Sequence, residues 1–429
     1  MFTRISLLFV LAFSAAAQEV QKPNDPFFEK FHLKTAPQPV GLALKPGDRL
    51  AICGDSITEQ KLYSRIMETY LTVCVPELNV TVRQYGWSGE RAPGFLARMT
   101  NDCLRFKPTI ATTCYGMNDH EYRPYEDRIG DTYRKLSTAI VESFKANGVR
   151  VIQGSAGTVG KMPGWVRTAS GGVEDLNLNL ANLRNIGIEI AQAEQVGFAD
   201  VFWPMLLAAY RARESFGGEY AVSGKDGVHP GLAGHTIMAY AFLKALGLDG
   251  EIGTFTVDLK ANQAQVSKGH ELVSLKNGEL TVTSSRYPFC ATGETNSDSS
   301  IRSGMVLVPF NQDLNRLTLI VKNGSSEKYR VTWGDASKSF TAEQLGHGVN
   351  LADEFPVNPF SDAFKKVDEA VAAKQAYETR QIKELFHGLE GRADAEMTAA
   401  LTEKARAPLA AKIKSSLAPV RHTIRIAAE

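Results

Sequence analysis

Residues 45 to about 250 alternate between short apolar runs and longer segments in which apolar residues recur every three or four positions. The short runs predict buried strands, and the longer periodic segments predict amphipathic helices. Strands that alternate with helices form a parallel sheet covered by helices on both faces. The predicted strands are 49–53, 80–85, 108–114, 149–152 and 198–202. This alternation predicts an α/β domain over residues 45–250.

Beyond residue 250 the pattern changes to short strands separated by turns. Asn277-Gly278 and Asn323-Gly324 are dipeptides that favour tight hairpins. The predicted strands here are 255–259, 279–284, 305–309, 317–322 and 329–333. Residues 251–350 are therefore predicted to form a small antiparallel β-rich region.

The C-terminal part reads as a helical hairpin over residues 360–417, followed by a possible final strand at 421–427 that returns to the β-rich region. Apolar residues form a stripe along the first helix, at Phe364, Val367, Val371 and Tyr377. We expect this stripe to pack on the β-rich region, with helix-mediated dimerisation as the alternative. Residues 251–429 are treated as one accessory module, and the oligomeric state stays open.

The first 17 residues have the pattern of a secretory signal peptide. Arg4 precedes an apolar run over residues 5–13, and Ala15, Ala16 and Ala17 supply the small residues of a cleavage site. The alternative is a buried N-terminal helix. No later stretch approaches the ~18 apolar residues of a membrane span. We therefore expect a secreted or periplasmic protein without a membrane span, whose irregular Pro-containing segment 18–44 leads into the α/β domain.

Composition excludes several classes of protein. Lys and Arg number 48 against 47 Asp and Glu, so the formal net charge is +1 and there is no global field to attract nucleic acid. A hydrophobic fraction of 44% is too high for a disordered chain. The five cysteines show neither a CxxC motif nor metal-ligand spacing. Cys74 and Cys103 are candidates for a disulfide in an oxidising compartment, which the sequence leaves undecided.

Three of the predicted strands are followed by short polar segments. Gly54-Asp55-Ser56 follows the first strand, Gly86-Trp87-Ser88-Gly89 the second and Tyr115-Gly116-Met117-Asn118 the third. The carboxyl ends of parallel strands meet at one edge of the sheet, which is where open α/β folds bind ligands. Each segment alone is most simply a turn, but together they predict a site at this edge.

A fourth segment adds acid–base groups near the end of the α/β domain. Asp226 and His229 lie three residues apart before Pro230 and Gly231. A histidine can deprotonate a serine hydroxyl, and a neighbouring carboxylate can hold the imidazole tautomer and stabilise the imidazolium. The pair is equally compatible with a structural Asp–His contact.

These four segments, GDSIT, GWSGER, GMND and DGVHPGLAGH, occur in the order found in the SGNH (GDSL-type) hydrolase superfamily, which the chain resembles over residues 45 to about 247. The resemblance implies a three-layer α/β/α sandwich similar to flavodoxin, with a parallel sheet. It also implies ester hydrolysis through an acyl-serine intermediate, and neither a metal nor an organic cofactor.

The resemblance assigns a role to each matching residue. Ser56 would be the nucleophile, His229 the general base and Asp226 its orienting carboxylate. The backbone N–H groups of Ser56 and Gly89 and the side chain of Asn118 would form the oxyanion hole. This sequence departs from the common family pattern at Glu90-Arg91 and at Met117, which puts the shape of the substrate pocket in doubt. We interpret His235 as structural, and His120 and His347 as surface or loop residues.

The family includes esterases of carbohydrates, lipids and small molecules, so the motifs leave the substrate open. The signal segment, the accessory module and the aromatic residues of the site segments, including Tyr122, favour O-acetyl groups on carbohydrate. The possible substrate-binding residues are Trp87, Arg91, Tyr115 and Met117. The alternatives are a lysophospholipase- or arylesterase-type enzyme and an inactive glycan-binding module. The expected partner is a small-molecule or glycan ester, and no nucleic acid.

Overall fold

The structure is a computed structural model that describes residues 20–429. The predicted signal segment lies outside the described residues. No helix within residues 20–429 combines the length and the apolar character needed to cross a membrane.

Five parallel strands form the central sheet, in the order β2-β1-β3-β4-β5. The strands are β1 (Arg49–Gly54), β2 (Thr81–Gly86), β3 (Ile110–Cys114), β4 (Arg150–Gly154) and β5 (Gly197–Ala199). The last strand is shorter than predicted, because the apolar run at 198–202 turns into a helix that begins at Phe202. Pro204 lies in the first turn of that helix, where its missing N–H needs no partner.

Helices cover both faces of this sheet. In chain order they are α1 (Pro26–Glu29), α2 (Ser56–Glu59), α3 (Tyr63–Val73), α4 (Ala92–Asp102), α5 (Asp127–Ala146), α6 (Val173–Glu194), α7 (Phe202–Phe216) and α8 (Leu232–Ala245). Alternate residues of β1 enter two different cores: Leu50 and Ile52 pack with α3 and α8, whereas Ala51 and Cys53 pack with α4 and α5. The predicted three-layer α/β/α fold is confirmed.

The two core clusters also settle the cysteine question for the described residues. Cys74 belongs to the cluster on the α3 side of the sheet, and Cys103 to the cluster on the α4 side. The suggested Cys74–Cys103 disulfide is therefore wrong, since the sheet separates the two thiols. All five cysteines are free and buried, as small apolar side chains usually are.

Two further sheets follow in the C-terminal part. Their strands are β6 (Glu251–Asp258), β7 (Gln263–Val266), β8 (His270–Lys276), β9 (Glu279–Ser284), β10 (Arg316–Lys322), β11 (Lys328–Trp333), β12 (Ala336–Thr341), β13 (Val349–Asn350) and β14 (Val420–Ala428). One sheet has the order β12-β11-β14-β9-β8 and is antiparallel throughout. The other has the order β13-β10-β6-β7, and its β6–β10 pair is parallel, which departs from the predicted antiparallel region.

The helices of this part are α9 (Ile301–Leu307), α10 (Phe310–Leu314), α11 (Ala342–His347), α12 (Leu351–Glu354), α13 (Ser361–Arg380), α14 (Leu389–Ala393) and α15 (Ala395–Ser416). A π-helix, Gln381–Phe386, continues α13. The predicted strand at 305–309 is wrong, because α9 covers most of it. Short apolar runs do not distinguish a strand from a buried helix. Here Gly304 lets α9 approach α8 so closely that a Cβ would lie 2.5 Å from the carbonyl oxygen of Ala233.

The helical hairpin packs on the α/β domain as well as on the β-rich region. Val367 and Val371 are buried in the same cluster as the apolar face of α3. The Asp368 carboxylate accepts from Arg65 Nε at 2.8 Å, and the Gln375 side chain accepts from Ser64 Oγ at 2.8 Å. The stripe, which was expected to pack on the β-rich region, therefore also packs on α3, and the accessory module shares a core with the α/β domain.

Candidate active site

Ser56 lies directly after β1, at the first residue of α2. The turn before it is very tight: a Cβ on Gly54 would lie 2.1 Å from Thr58 Oγ1, and a Cβ on Gly86 would lie 2.1 Å from the backbone nitrogen of Glu59. Asp55 caps α2 by accepting from the backbone N–H of Ile57 at 3.0 Å. The two glycines therefore let α2 sit against the ends of β1 and β2, which fixes Ser56 at the sheet edge.

The structure brings Ser56, His229 and Asp226 into one hydrogen-bonded chain. Ser56 Oγ lies 2.9 Å from His229 Nε2, and His229 Nδ1 lies 2.7 Å from Asp226 Oδ2. The other oxygen of Asp226 accepts from the backbone N–H groups of Val228 at 2.9 Å and His229 at 2.8 Å. With Nδ1–H donated to the carboxylate, Nε2 is free to accept the serine proton.

Hydrogen bonds keep Asp226 ionised. Partial burial opposes its charge, but the backbone N–H groups of His229 and Val228 and the His229 side chain together lower the pKa of Asp226 below its ordinary value. An ionised Asp226 is the state that can stabilise an imidazolium at His229.

The segments after β2 and β3 converge on the residues beside Ser56. The backbone N–H of Trp87 donates to the carbonyl of Gly54 at 3.1 Å. The side-chain amide of Asn118 donates to the carbonyl of Glu90 at 3.0 Å and lies 3.4 Å from Asp55 Oδ2. The hydroxyl of Tyr122 donates to Asn118 Oδ1 at 3.1 Å, which orients the amide. The amide group of Asn118 is thus held between the first and second segments.

Gly89 lies in the exposed loop between β2 and α4, with a positive φ of 73°. L-residues with side chains rarely adopt this conformation, and no heavy atom lies within 4 Å of where its Cβ would be. The loop's backbone at this point is open to a ligand.

Two carboxylates lie behind the site, the buried Asp55 and the partly buried Asp119. Asp119 accepts from the backbone N–H groups of Ala92 and Gly116, both at 2.9 Å, and so ties the start of α4 to the segment after β3. Burial raises the pKa of Asp119 to about 6. Burial, with the nearby charges of Asp119 and Glu90, raises the pKa of Asp55 to about 7.

Of the four predicted substrate-binding residues, Tyr115 and Met117 are buried, which argues against direct contact with a ligand. The hydroxyl of Tyr115 instead donates to Glu90 at 2.9 Å. Trp87 is half-buried against other side chains. Arg91 is the one exposed residue of the four, and its guanidinium lies 3.3 Å from the Glu121 carboxylate. Glu90, the departure from the family pattern next to Arg91, is held by two 2.7 Å bonds from Arg98.

Three further histidines were considered in the sequence, and the structure buries two of them, His235 and His120. His235 is fully buried, accepts from the backbone N–H of Tyr63 at 3.3 Å and lies 2.8 Å from the side-chain oxygen of Gln60. Burial lowers the pKa of His235 to about 3. His120, expected at the surface or in a loop, lies in the turn after β3 but is buried, and burial lowers its pKa to about 4. His347 is exposed.

Two residues of the site were not predicted from the sequence. The Trp165 ring lies 5.7 Å from the ring of His229 and is 51% exposed. The sequence did contain an indication of this position, because Trp165 lies in a Gly- and Pro-containing segment that follows β4 at the same edge of the sheet. The second residue is Lys383, whose Nζ lies 2.8 Å from Glu59 Oε1. Nothing in the sequence around Lys383 indicated that it lies near Glu59, which is 324 positions away.

No group of three or more His, Cys, Asp or Glu side chains within residues 20–429 is arranged to hold a metal ion. The residues gathered here are a hydroxyl, an imidazole, a carboxylate and hydrogen-bond donors. Together they can activate a serine and stabilise an oxyanion.

The comparisons with known proteins agree with this chemistry. The model of the GDSL-like Lipase/Acylhydrolase family matches residues 52–237. This range runs from the second half of β1 into the first half of α8 and includes Ser56, Asn118 and His229. No curated protein sequence matches the chain significantly.

Among solved structures, the chain is similar to BT4096, a gut microbial diltiazem-metabolizing enzyme, with a TM-score of 0.70 and 20% identity over 91% of this chain and 100% of that one. The likeness shows a common fold that extends into the C-terminal module. The acetylxylan esterase Axe2 from Geobacillus stearothermophilus matches with a TM-score of 0.40 and 21% identity, over 48% of this chain and 97% of that one. Residues 52–237 are a domain of the GDSL-like lipase/acylhydrolase family, which makes this chain a carboxylic ester hydrolase of the GDSL type.

Proposed function

We propose that the protein is a secreted serine esterase that removes O-acetyl groups from carbohydrate. The observation that carries the serine mechanism is the hydrogen-bonded chain from Ser56 through His229 to Asp226, at 2.9 and 2.7 Å. The substrate class rests on the surroundings of that chain and on the N-terminal segment.

The first half of the reaction acylates the enzyme. His229 Nε2 takes the proton of Ser56 Oγ as the oxygen attacks the ester carbonyl carbon, and Asp226 stabilises the imidazolium that forms. The carbonyl oxygen becomes an oxyanion, which the backbone N–H groups of Ser56 and Gly89 and the amide of Asn118 stabilise. When the tetrahedral intermediate collapses, the bond to the alcohol breaks and His229 protonates the leaving oxygen.

The second half releases the acid. A water molecule gives a proton to His229 Nε2 and attacks the acyl carbon, and the same donors stabilise the second oxyanion. Collapse breaks the bond to Ser56 Oγ, which recovers its proton from His229. The products are an alcohol and a carboxylic acid, and the enzyme returns to its starting state.

The exposed indole of Trp165 supports a carbohydrate as the alcohol part of the substrate. An ester bound at Ser56 places its leaving oxygen next to His229, so the group attached to that oxygen extends toward Trp165 at the rim. A flat, half-exposed aromatic ring with a polar edge suits the C–H face of a sugar ring. The Arg91 guanidinium, 48% exposed, adds a hydrogen-bond donor near the mouth of the site.

The apolar N-terminal segment supports export. The predicted cut after Ala17 is testable by N-terminal sequencing of protein recovered from the periplasm or the medium. Recovery with Met1 intact from the cytoplasm alone would contradict secretion.

The substrate is tested by acetate release from acetylated xylan and acetylated pectin, beside nitrophenyl acetate and nitrophenyl octanoate, with Ser56→Ala as the control. The proposal predicts Ser56-dependent acetate release from a polysaccharide. Preference for octanoate over acetate would instead favour a lipid esterase. Hydrolysis restricted to the nitrophenyl esters would favour a small-molecule esterase.

A further inference from the structure

One contact joins the C-terminal module to the nucleophile. Lys383 lies in the π-helix, and its Nζ is 2.8 Å from Glu59 Oε1 and 2.9 Å from Oε2. Glu59 is the last residue of α2, the four-residue helix that begins at Ser56. The same carboxylate accepts from the backbone N–H of Ser88. Glu59 therefore links the helix of the nucleophile, the loop between β2 and α4, and the accessory module.

The loop is held on a second side through Trp87. The Lys383 ammonium lies 5.1 Å from the centre of the Trp87 ring, and the His387 ring packs edge-on against it at 4.8 Å. His387 Nε2 is in turn 2.7 Å from Asp102 at the end of α4. Two side chains of the C-terminal module thus clamp the residue that precedes Ser88 and Gly89.

The bonds formed by this clamp are partly shielded from water. The side chains of Lys383 and Glu59 are 26% and 21% exposed, so their attraction is screened less than that of a surface pair. The π-helix that carries Lys383 departs from regular α-helix, a feature frequently found at functional sites. The neighbouring ion pair of Arg380 and Glu384, in contrast, stays within its own helix and is mostly exposed.

We propose that Lys383 is a positioning residue for the esterase reaction: acting through Glu59, it fixes the backbone of Ser88 and Gly89 so that the Gly89 N–H faces the oxyanion. This role rests on the proposed function of Gly89. Gly89 has no side chain, and no heavy atom beyond its chain neighbours lies within 4 Å of where its Cβ would be. The backbone N–H of Glu90 donates to the carbonyl of Trp87 at 3.1 Å and closes the turn that holds Ser88 and Gly89. The bond from Ser88 to Glu59 anchors this turn to α2, and Lys383 holds Glu59 in place.

Lys383→Met tests this role in the full chain. We expect kcat for nitrophenyl acetate to fall roughly tenfold with KM nearly unchanged, since a misdirected oxyanion donor weakens the transition state and not the ground state. Lys383→Arg keeps the charge and should recover most of the loss. In a Glu59→Gln background, Lys383→Met should add less than about twofold, because the route through Glu59 is already broken.

The matched control is Arg380→Met, one turn earlier, which should leave kcat and KM unchanged. Amide hydrogen exchange gives a readout that needs no activity: the Ser88 N–H, which donates to Glu59, should exchange about tenfold faster in Lys383→Met than in the wild type and in Arg380→Met. An unchanged kcat together with unchanged exchange would overturn the positioning role, as would a loss confined to KM.

The two proposals fail in different ways. Hydrolysis by Ser56→Ala at the wild-type rate would refute the serine mechanism, whatever the effect of Lys383→Met. Ser56-dependent hydrolysis with no effect of Lys383→Met would refute the positioning role alone.

Discussion

Ser56 Oγ lies 2.9 Å from His229 Nε2, although 173 positions separate the two residues in the sequence. The serine follows β1, which lies between β2 and β3 in the sheet, and the histidine lies in the turn before α8. Because α8 packs on the same face of the sheet as α3, its N-terminal turn reaches the carboxyl edge of β1. The parallel fold therefore brings the nucleophile and its base together at one edge of the sheet.

Asn118→Ala tests the side-chain donor of the oxyanion hole. We expect kcat to fall by roughly 10²–10³ with little change in KM, because the amide would stabilise charge that develops only in the transition state. Steady-state kinetics on nitrophenyl acetate measures both constants. A change in KM alone would place Asn118 in substrate binding instead. Because Tyr122 bonds to Asn118 Oδ1, a Tyr122→Phe variant should give a smaller loss in the same direction.

Asp226→Asn tests the orienting carboxylate. The substitution keeps an oxygen for the backbone N–H groups of Val228 and His229 but removes the negative charge beside Nδ1. We expect kcat to fall on the order of 10³–10⁴, because the imidazolium loses its counter-charge and the tautomer of His229 is no longer fixed. Thermal unfolding of the variant checks that the turn survives. A folded variant with a loss below tenfold would refute this role for Asp226.

Trp165→Ala tests whether the Trp165 ring binds the sugar part of the substrate and not the acetyl group. We expect KM for an acetylated xylooligosaccharide to rise about fivefold, which corresponds to about 1 kcal/mol of aromatic contact. KM for nitrophenyl acetate should change less, since acetate is bound on the other side of the ester. Trp165→Phe keeps a flat ring and should stay near the wild type. An equal effect of Trp165→Ala on both substrates would argue against a sugar platform.

A histidine of the β-rich region makes stability depend on pH. His422 Nδ1 accepts from the indole N–H of Trp333 at 3.1 Å, and its Nε2 lies 2.9 Å from Ser284 Oγ, whose other contact is His270 at 2.7 Å. Burial, with the nearby charge of His270, lowers the pKa of His422 to about 3. Between this value and the ordinary pKa near 6.5, the unfolded chain binds a proton that the folded chain does not.

Stability contributed by His422 is therefore lost as the pH falls below about 6.5. Between pH 6 and pH 4, the free energy of unfolding of the wild type should decrease with falling pH more steeply than that of His422→Gln. The difference between the two slopes should be up to about 1.4 kcal/mol per pH unit. Urea unfolding of both proteins at several pH values measures that slope. Parallel curves for the wild type and His422→Gln would contradict a neutral buried His422.

The sheet and the order of the site segments were predictable because short stretches of sequence indicate them. Short apolar runs located all five strands of the parallel sheet, and the family motifs located Ser56, Asn118 and His229. The strand expected at 305–309 failed because a short apolar run has no period that distinguishes strand from helix. In α9 the same residues pack against α8.

Side-chain direction and long-range contact were beyond the sequence. Tyr115 was expected to face a ligand, but its hydroxyl is bound to Glu90 behind the site. Cys74 and Cys103 were assigned a possible disulfide, but they lie in cores on opposite faces of the sheet. The pair of Glu59 and Lys383 spans 324 positions, and nothing local in either segment marks the other as its partner.

The most direct test of the central claim is covalent labelling of the folded wild-type protein by a fluorophosphonate, with the modified peptide located by mass spectrometry. The account predicts one label per chain, on Ser56, with loss of nitrophenyl acetate hydrolysis in proportion to labelling. It predicts no label and no hydrolysis in Ser56→Ala. Labelling at another serine, or hydrolysis that persists when Ser56 is fully labelled, would contradict the assignment of Ser56 as the nucleophile.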